Sequence, residues 1–183
     1  MTFEFCMEKV GAIEGKLSLS RSDRGNWTSG IVGVGKLVGT KYGISVMAYP
    51  HLNIPALTKA EALMIYKKDF WDAYKLEQFA PHVRLYVIDC MINHGQTGGI
   101  ELAQKVFGVS ADGVVGPMTL AASYRCSLWD FCERRGDYYV DITQNGKNDE
   151  NDRKQLKGWG RRNVRMLKHS VMWQLSTGSA VQS

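Results

Sequence analysis

From Gly15 to Ala48 the chain sets seven glycines among serines and threonines, with no apolar run long enough to build a helix. This stretch constrains the fold more than any other, because glycine at that density favours turns and short strands and weakens any helix. The sequence on either side reads differently. Phe3, Cys6, Met7, Val10, Ile13 and Glu14 fall at helical spacing and predict a helix over 3–14 that Gly15 stops. Thr58-Lys59-Ala60-Glu61 has the form of a capping box, and Leu63, Tyr66, Phe70 and Tyr74 continue one face of the helix it opens. Further helices are predicted from about Pro81 to Asn93, stopping near Gly95, and around Leu102, Ala103, Val106 and Phe107. Others follow Pro117, run through Leu128, Phe131, Cys132, Arg135 and Tyr138, and end the chain on Val164, Leu167, Val171 and Leu175. The polar stretch 143–155 reads as a loop and 176–183 as a frayed tail. The expected fold is mainly α, with a small Gly-rich β/loop lobe near the N-terminus.

Composition narrows the partners. A chain of 183 residues fits one domain, or one domain with two lobes, and 44% hydrophobic content excludes a disordered chain. A net charge of +5 suits an anionic partner such as nucleic acid, a membrane face or an acidic wall polymer, and charge alone does not choose among them. Arg161, Arg162, Arg165 and Lys168 cluster on the polar side of the last predicted helix, either as a solvated face or as a contact to an anionic envelope surface. Only the helix near Arg161 clusters basic and aromatic residues along one element, so nucleic-acid binding is not expected. The four cysteines form no Cys-x-x-Cys pair and no His-Glu-x-x-His spacing occurs, so neither a metal site nor a cofactor is expected. Buried free thiols fit synthesis in a reducing cytoplasm. The N-terminus has no positively charged signal-peptide region, and no stretch approaches the roughly 20 apolar residues of a membrane span. The expectation is a monomer made in the cytoplasm without a signal peptide, which reaches any outside target only through another agent.

Glu14 is the most informative polar residue. It falls on the apolar stripe of the first predicted helix and at its C-terminal end. Desolvation and the helix dipole would both raise the pKa of a carboxyl placed there, and a carboxyl kept protonated near neutral pH can act as a general acid. The alternative is that Glu14 simply turns to solvent beyond the last turn. Asp23 follows nine positions later in the Gly-rich stretch. Glycoside hydrolysis commonly uses two carboxyls, one to protonate the leaving oxygen and one as base or nucleophile. With Arg24-Gly25 after it, Asp23 also fits a plain turn aspartate. Tyr42, Asn93 and His94 fit the wall of a sugar groove, although Asn93 and Gly95 equally suit a helix C-cap. Trp27, Trp71 and Trp159 fit either sugar stacking or the core.

Several segments in order resemble glycoside hydrolase family 108, phage and prophage endolysins of the N-acetylmuramidase type. They are Ile13-Glu14-Gly15, Asp23-Arg24-Gly25-Asn26-Trp27-Thr28 and Gly39-Thr40-Lys41-Tyr42-Gly43-Ile44-Ser45 at the N-terminal end. Ala62 to Trp71, Asp89 to Gly95, Gln104 to Thr119 and Gly158-Trp159-Gly160-Arg161-Arg162 continue the resemblance to about residue 170. The resemblance implies a lysozyme-like α+β fold, with a catalytic lobe over 1–95 and a helical, peptidoglycan-binding-like lobe over 96–175 packed with it. It implies hydrolysis of the bond between N-acetylmuramic acid and N-acetylglucosamine, with Glu14 as the catalytic acid and peptidoglycan as the partner. The order Glu, Asp, Thr is also similar to the site of phage lysozymes, where the threonine hydroxyl helps place a water. Thr28 and Thr40 both compete for that part, and the Gly43-Ile44 after Thr40 favours it. Asp23 is then the second carboxyl, and Thr28, Tyr42, Asn93 and His94 contact substrate. Release to the wall would pass through a holin. Where the family commonly has Glu-Gly-Gly, this chain has Glu14-Gly15-Lys16, and a cation there favours the ionised carboxylate. Two rivals stand beside this expectation: a lytic transglycosylase using one glutamate and no water, and a wall-binding or secretion-associated protein with a degenerate site.

Overall fold

The computed structural model describes residues 1–11, 13, 15–144 and 150–178, the side chains of 150–155 excepted. Two compact units emerge, one formed by Met1–Val10 with Trp71–Ser183 and the other by Gly11–Phe70.

The larger unit is helical: α1 (Phe3–Val10), α3 (Arg84–His94), α4 (Gln96–Phe107), α5 (Pro117–Ser123), α6 (Leu128–Gln144) and α7 (Glu150–Thr177). Its centre is α3, in which every residue from Leu85 to Met91 is buried, and α4 packs along it. Gly99 permits that approach, since a Cβ there would stand 2.3 Å from the backbone N and Cα of Met91. Arg84, nearly buried in the first turn of α3, donates from Nε to Phe79 O (3.0 Å) and from Nη1 to Met1 O (2.9 Å), which ties the N-terminus to the unit. Gln104 on α4 closes the following loop. Its Nε2 donates to Asp112 Oδ1 (2.8 Å) and Val114 O (3.0 Å), and its Oε1 accepts from Gly113 N (2.8 Å). The segment Gln104 to Thr119 is thus held by a buried amide, and Asp112, bonded by Val114 N and Gln104, has its carboxyl below the usual range.

The smaller unit holds the Gly-rich stretch. Its strands β1 (Thr40–Lys41) and β2 (Ile44–Ser45) pair antiparallel, Thr40 opposite Ser45 and Lys41 opposite Ile44. Tyr42 and Gly43 join them with φ of 52° and 76°, a two-residue turn with both central residues left-handed. The Tyr66 hydroxyl, itself buried, donates to Tyr42 O (3.1 Å) and holds the turn from below. The helix α2 (Lys59–Ile65) starts with the expected capping box: Glu61 N donates to Thr58 Oγ1 (3.2 Å) and Thr58 N to Glu61 Oε2 (2.8 Å).

Several elements differ from expectation. The helix predicted over 3–14 ends at Val10, because Gly11 takes a φ of 71° and stops it. After Ile65 the backbone widens into a π-helix over Tyr66–Asp72, so the stripe predicted to reach Tyr74 breaks, and Lys75 turns left-handed. The helix predicted from Pro81 starts at Arg84. The loop predicted over 143–155 is helical at both ends: α6 runs to Gln144 and α7 begins at Glu150. Residues such as glutamate, arginine, lysine and glutamine are good helix formers, and polarity alone did not exclude a helix there. On α7 the expected apolar stripe is displaced. Val164 and Leu175 are exposed, while Asn163, Met166, Ser170 and Gln174 face inward.

Candidate active site

In the smaller unit the turn bearing Asp23 packs on the hairpin. Asp23 caps a 3-10 turn (Arg24–Asn26), its Oδ1 accepting from Gly25 N at 2.8 Å. Gly25 is pressed against Ser45: a Cβ on Gly25 would lie 3.2 Å from Asp23 Oδ1 and 3.5 Å from Ser45 Cβ. Ser45 is the cross-strand partner of Thr40, so the Asp23 turn and the Thr40–Ser45 rung are neighbours. The backbone reinforces this. Met47 N donates to Gly25 O (3.2 Å), and both Val38 N (2.9 Å) and Gly39 N (3.1 Å) donate to Asn26 O. Thr40 also bridges to Ser18 through a pair of backbone bonds (2.8 and 3.1 Å), which joins the segment just after Gly15 to the hairpin. Asp23 itself is exposed. Glu14 lies outside the described residues. α1 stops at Val10, four positions before Glu14 in the sequence.

The two threonines separate clearly. Thr28 Oγ1 accepts from Lys36 N (3.0 Å) and would stand 2.6 Å from a Cβ on Gly35, so its hydroxyl closes its own loop. Thr40 stands on β1, half-buried, opposite Ser45. Tyr42, at the hairpin tip, carries the Lys41 ammonium 5.4 Å above its ring centre, and Lys41 Nζ donates to Pro55 O (2.9 Å). Ser45 was not singled out in the sequence. Its signal was there in the Tyr42-Gly43 pair, which as a two-residue turn sets position 45 opposite position 40.

Asn93 and His94 belong to the larger unit. Asn93 is exposed, and its Nδ2 donates to Asp89 O (2.6 Å) one turn back. His94 packs edge-on to Tyr138 (5.8 Å, 88°) and beside Tyr139, and burial followed by the Arg135 charge lowers its pKa to about 4. It is therefore neutral near pH 7. Behind it Asp89, fully buried, is gripped by Arg135 Nη2 (2.6 Å) and by Arg162 through Nη2 (2.6 Å) and Nε (2.7 Å). Arg135 Nε donates to Tyr139 OH (2.8 Å), and Trp159 stacks on Tyr139 with ring centres 5.1 Å apart. Arg162 is thus turned inward, out of the basic face it shares in sequence with the exposed Arg161, Arg165 and Lys168. Trp27 and Trp71 are buried, and Trp27 Nε1 donates to Arg21 O (3.0 Å), so both serve the core. Cys6, Cys90 and Cys126 are buried free thiols whose pKa burial raises to about 12, 11 and 11, which leaves them unreactive.

Comparison with known proteins supplies the class. Residues 7–95 match the family model described as glycosyl hydrolase 108, and the chain is a glycoside hydrolase. That segment is similar to the glycosyl hydrolase 108 family, whose activity at family level is peptidoglycan hydrolysis of the N-acetylmuramidase type. The solved structure of Brucella abortus SagA is similar over 93% of this chain and 94% of that one, at 25% identity and a TM-score of 0.70. That likeness carries the mainly α, lysozyme-like α+β architecture well past residue 95. No curated protein matches the chain.

Proposed function

We propose that the chain is an endolysin-type N-acetylmuramidase in which Glu14 is the general acid, Asp23 the second carboxyl and Thr40 the residue that orients the attacking water. The observation that carries this is the packing of the Asp23 turn on the Thr40–Ser45 rung, inside the segment that matches the family. The cap bond to Gly25 N engages Asp23 Oδ1 and fixes the carboxyl's orientation while leaving Oδ2 for a water. In the proposed cycle Glu14 gives its proton to the glycosidic oxygen. Asp23 takes a proton from a water held by Thr40, and that water attacks the anomeric carbon of the muramic residue. An attacking water between the two carboxyls implies the wider, inverting separation. Thr28 serves the loop that flanks the site rather than the chemistry. Tyr42 at the hairpin tip and Asn93 with His94 at the end of α3 are proposed substrate contacts, His94 as a neutral ring. Arg161, Arg165 and Lys168 are the part of the basic face left to meet an anionic envelope.

The test combines one variant with product analysis. Glu14→Gln keeps the shape and cannot donate the proton, a step worth about 10²–10⁴-fold in rate. Lysis of purified walls should fall by at least about a hundredfold with an unchanged circular dichroism spectrum. Mass analysis of wild-type digests should show reducing N-acetylmuramic acid ends. Anhydro-muramic ends would establish the transglycosylase instead, and an intact glycan would remove the enzymatic assignment.

A further inference from the structure

The loop between Thr28 and Lys36 has a structure the proposed catalysis does not use. Its tip carries Ile31, Val32 and Val34, exposed at 60%, 51% and 50%. An aliphatic tip on a mobile loop would be unremarkable, since single exposed apolar residues are common. This loop is instead fastened along its length. Thr28 N donates to Lys36 O (3.0 Å), and Lys36 N donates back to Thr28 Oγ1 (3.0 Å) to close the base. Higher up, Ser29 Oγ donates to Val34 O (2.8 Å) and accepts from Ile31 N (3.1 Å), while Val34 N donates to Ile31 O (3.1 Å). Gly33 and Gly35, with φ of 81° and 79°, allow the tight path this requires. The fold therefore holds three aliphatic side chains out in water and ties the backbone groups of Ile31 and Val34 internally.

That pairing of features distinguishes among partners. A sugar is gripped by aromatic faces and hydrogen-bonding side chains, and the tip offers neither. A headgroup–acyl boundary takes apolar side chains at shallow depth and is favoured by backbone groups that are already paired. The charge around the loop agrees. Lys36 closes its base, Arg21 and Arg24 lie on the segment that leads into it, and Lys16 is exposed in the same unit. Between residues 15 and 48 five cations, Lys16, Arg21, Arg24, Lys36 and Lys41, face one carboxylate, Asp23. Basic residues behind an aliphatic tip fit a surface of anionic lipid headgroups over hydrocarbon. Among the described residues no helix is long and apolar enough to cross a membrane, so the contact would be peripheral.

We infer that the 28–36 loop docks this chain on anionic membrane surfaces by shallow insertion of Ile31, Val32 and Val34, with Lys36, Arg21 and Arg24 against the headgroups. Such docking would hold a wall hydrolase at the membrane-facing side of its polymer. It does not depend on the assignment of Glu14 or Asp23. The test is flotation of the full chain with vesicles of phosphatidylglycerol and phosphatidylethanolamine, against vesicles of phosphatidylcholine alone. Wild-type protein should float with the anionic vesicles, more weakly as salt is raised, and hardly with the neutral ones. The triple variant Ile31→Ser, Val32→Ser, Val34→Ser should bind at least tenfold more weakly, and Lys36→Glu should weaken binding to the anionic vesicles alone. Both variants should digest isolated walls as wild type does, which shows that they fold. The inference fails if wild-type protein does not float, or if the triple variant floats equally well. It fails also if that variant keeps vesicle binding while losing adsorption to isolated walls, since the loop would then contact the polymer.

Discussion

Replacing Arg135 by methionine tests the ionic centre of the larger unit. Asp89 is fully buried and shares its charge between Arg135, also fully buried, and Arg162, whose side chain is 22% exposed. Arg135→Met fills a similar volume but removes the 2.6 Å contact to Asp89 Oδ2 and the 2.8 Å bond to Tyr139 OH. Taking one partner from a buried ion pair costs about 3–5 kcal/mol, because the remaining charge stays desolvated. Arg162 still compensates one carboxylate oxygen, which places the expected loss near the lower bound, about 3 kcal/mol. For a chain of this length about 2–4 °C of Tm follows each kcal/mol, so calorimetry should find a fall of roughly 6–12 °C. The double variant Asp89→Leu with Arg135→Met should regain part of that loss, because both buried charges are gone and Arg162 can turn to water. Glu8→Ala, which removes an exposed pair with Lys9, should leave Tm unchanged within error. A fall of less than about 3 °C for Arg135→Met, or a double variant as unstable as the sum of the singles, would refute the desolvation reasoning.

Other outcomes follow from the same packing. Gly99→Ala should cost about 3 kcal/mol or more, read as a lowered denaturant midpoint, because its Cβ would meet the Met91 backbone at 2.3 Å and nothing flexible can yield. His94 has a folded pKa near 4 against an ordinary 6.5, so the unfolded chain binds more protons between those values. Stability should therefore drop as pH falls from 6.5 towards 4, and in His94→Gln the drop in Tm over that window should be smaller. Thr40→Val should lower kcat on wall substrate at least about tenfold. Thr28→Val should leave kcat near wild type and cost about 1 kcal/mol of stability, for the lost bond from Lys36 N.

The helices were legible where capping and periodicity agreed. Thr58 and Glu61 formed the box their spacing announced, and Pro117 opened α5. The 15–48 stretch showed its lack of helix through its glycines. It did not show its register, which depends on Tyr42 accepting a left-handed φ with Tyr66 beneath it. Gly11 does not show in the spacing as a stop, because Ile13 and Glu14 continue the helical period beyond it. The inward face of α7 was hidden for another reason. Its contacts are directional, such as Asn163 Nδ2 to Cys132 O (2.7 Å), and apolar periodicity cannot register a face built from asparagine, serine and glutamine. Arg135 did leave a trace, as a charge on an otherwise apolar stripe. That is the same kind of anomaly that drew attention to Glu14, and at Arg135 it marked a buried ion pair.

The larger unit is interrupted in sequence, with Met1–Val10 at one end and Trp71–Ser183 at the other. During translation α1 leaves the ribosome first, yet α3 and α7, the helices it packs against, follow only after residues 84 and 150. At about 5–20 residues per second, α3 is complete roughly 4–17 seconds after α1, and α7 roughly 8–33 seconds after it. Until α3 arrives Phe3, Cys6, Met7 and Val10 present an apolar stripe that lacks both of its partner helices. The Gly11–Phe70 unit, continuous in sequence, can meanwhile close on contacts of its own. The nascent chain thus carries an early sticky helix ahead of an insert that can already fold, and its yield in the cell will depend on what shields that helix until its partners arrive.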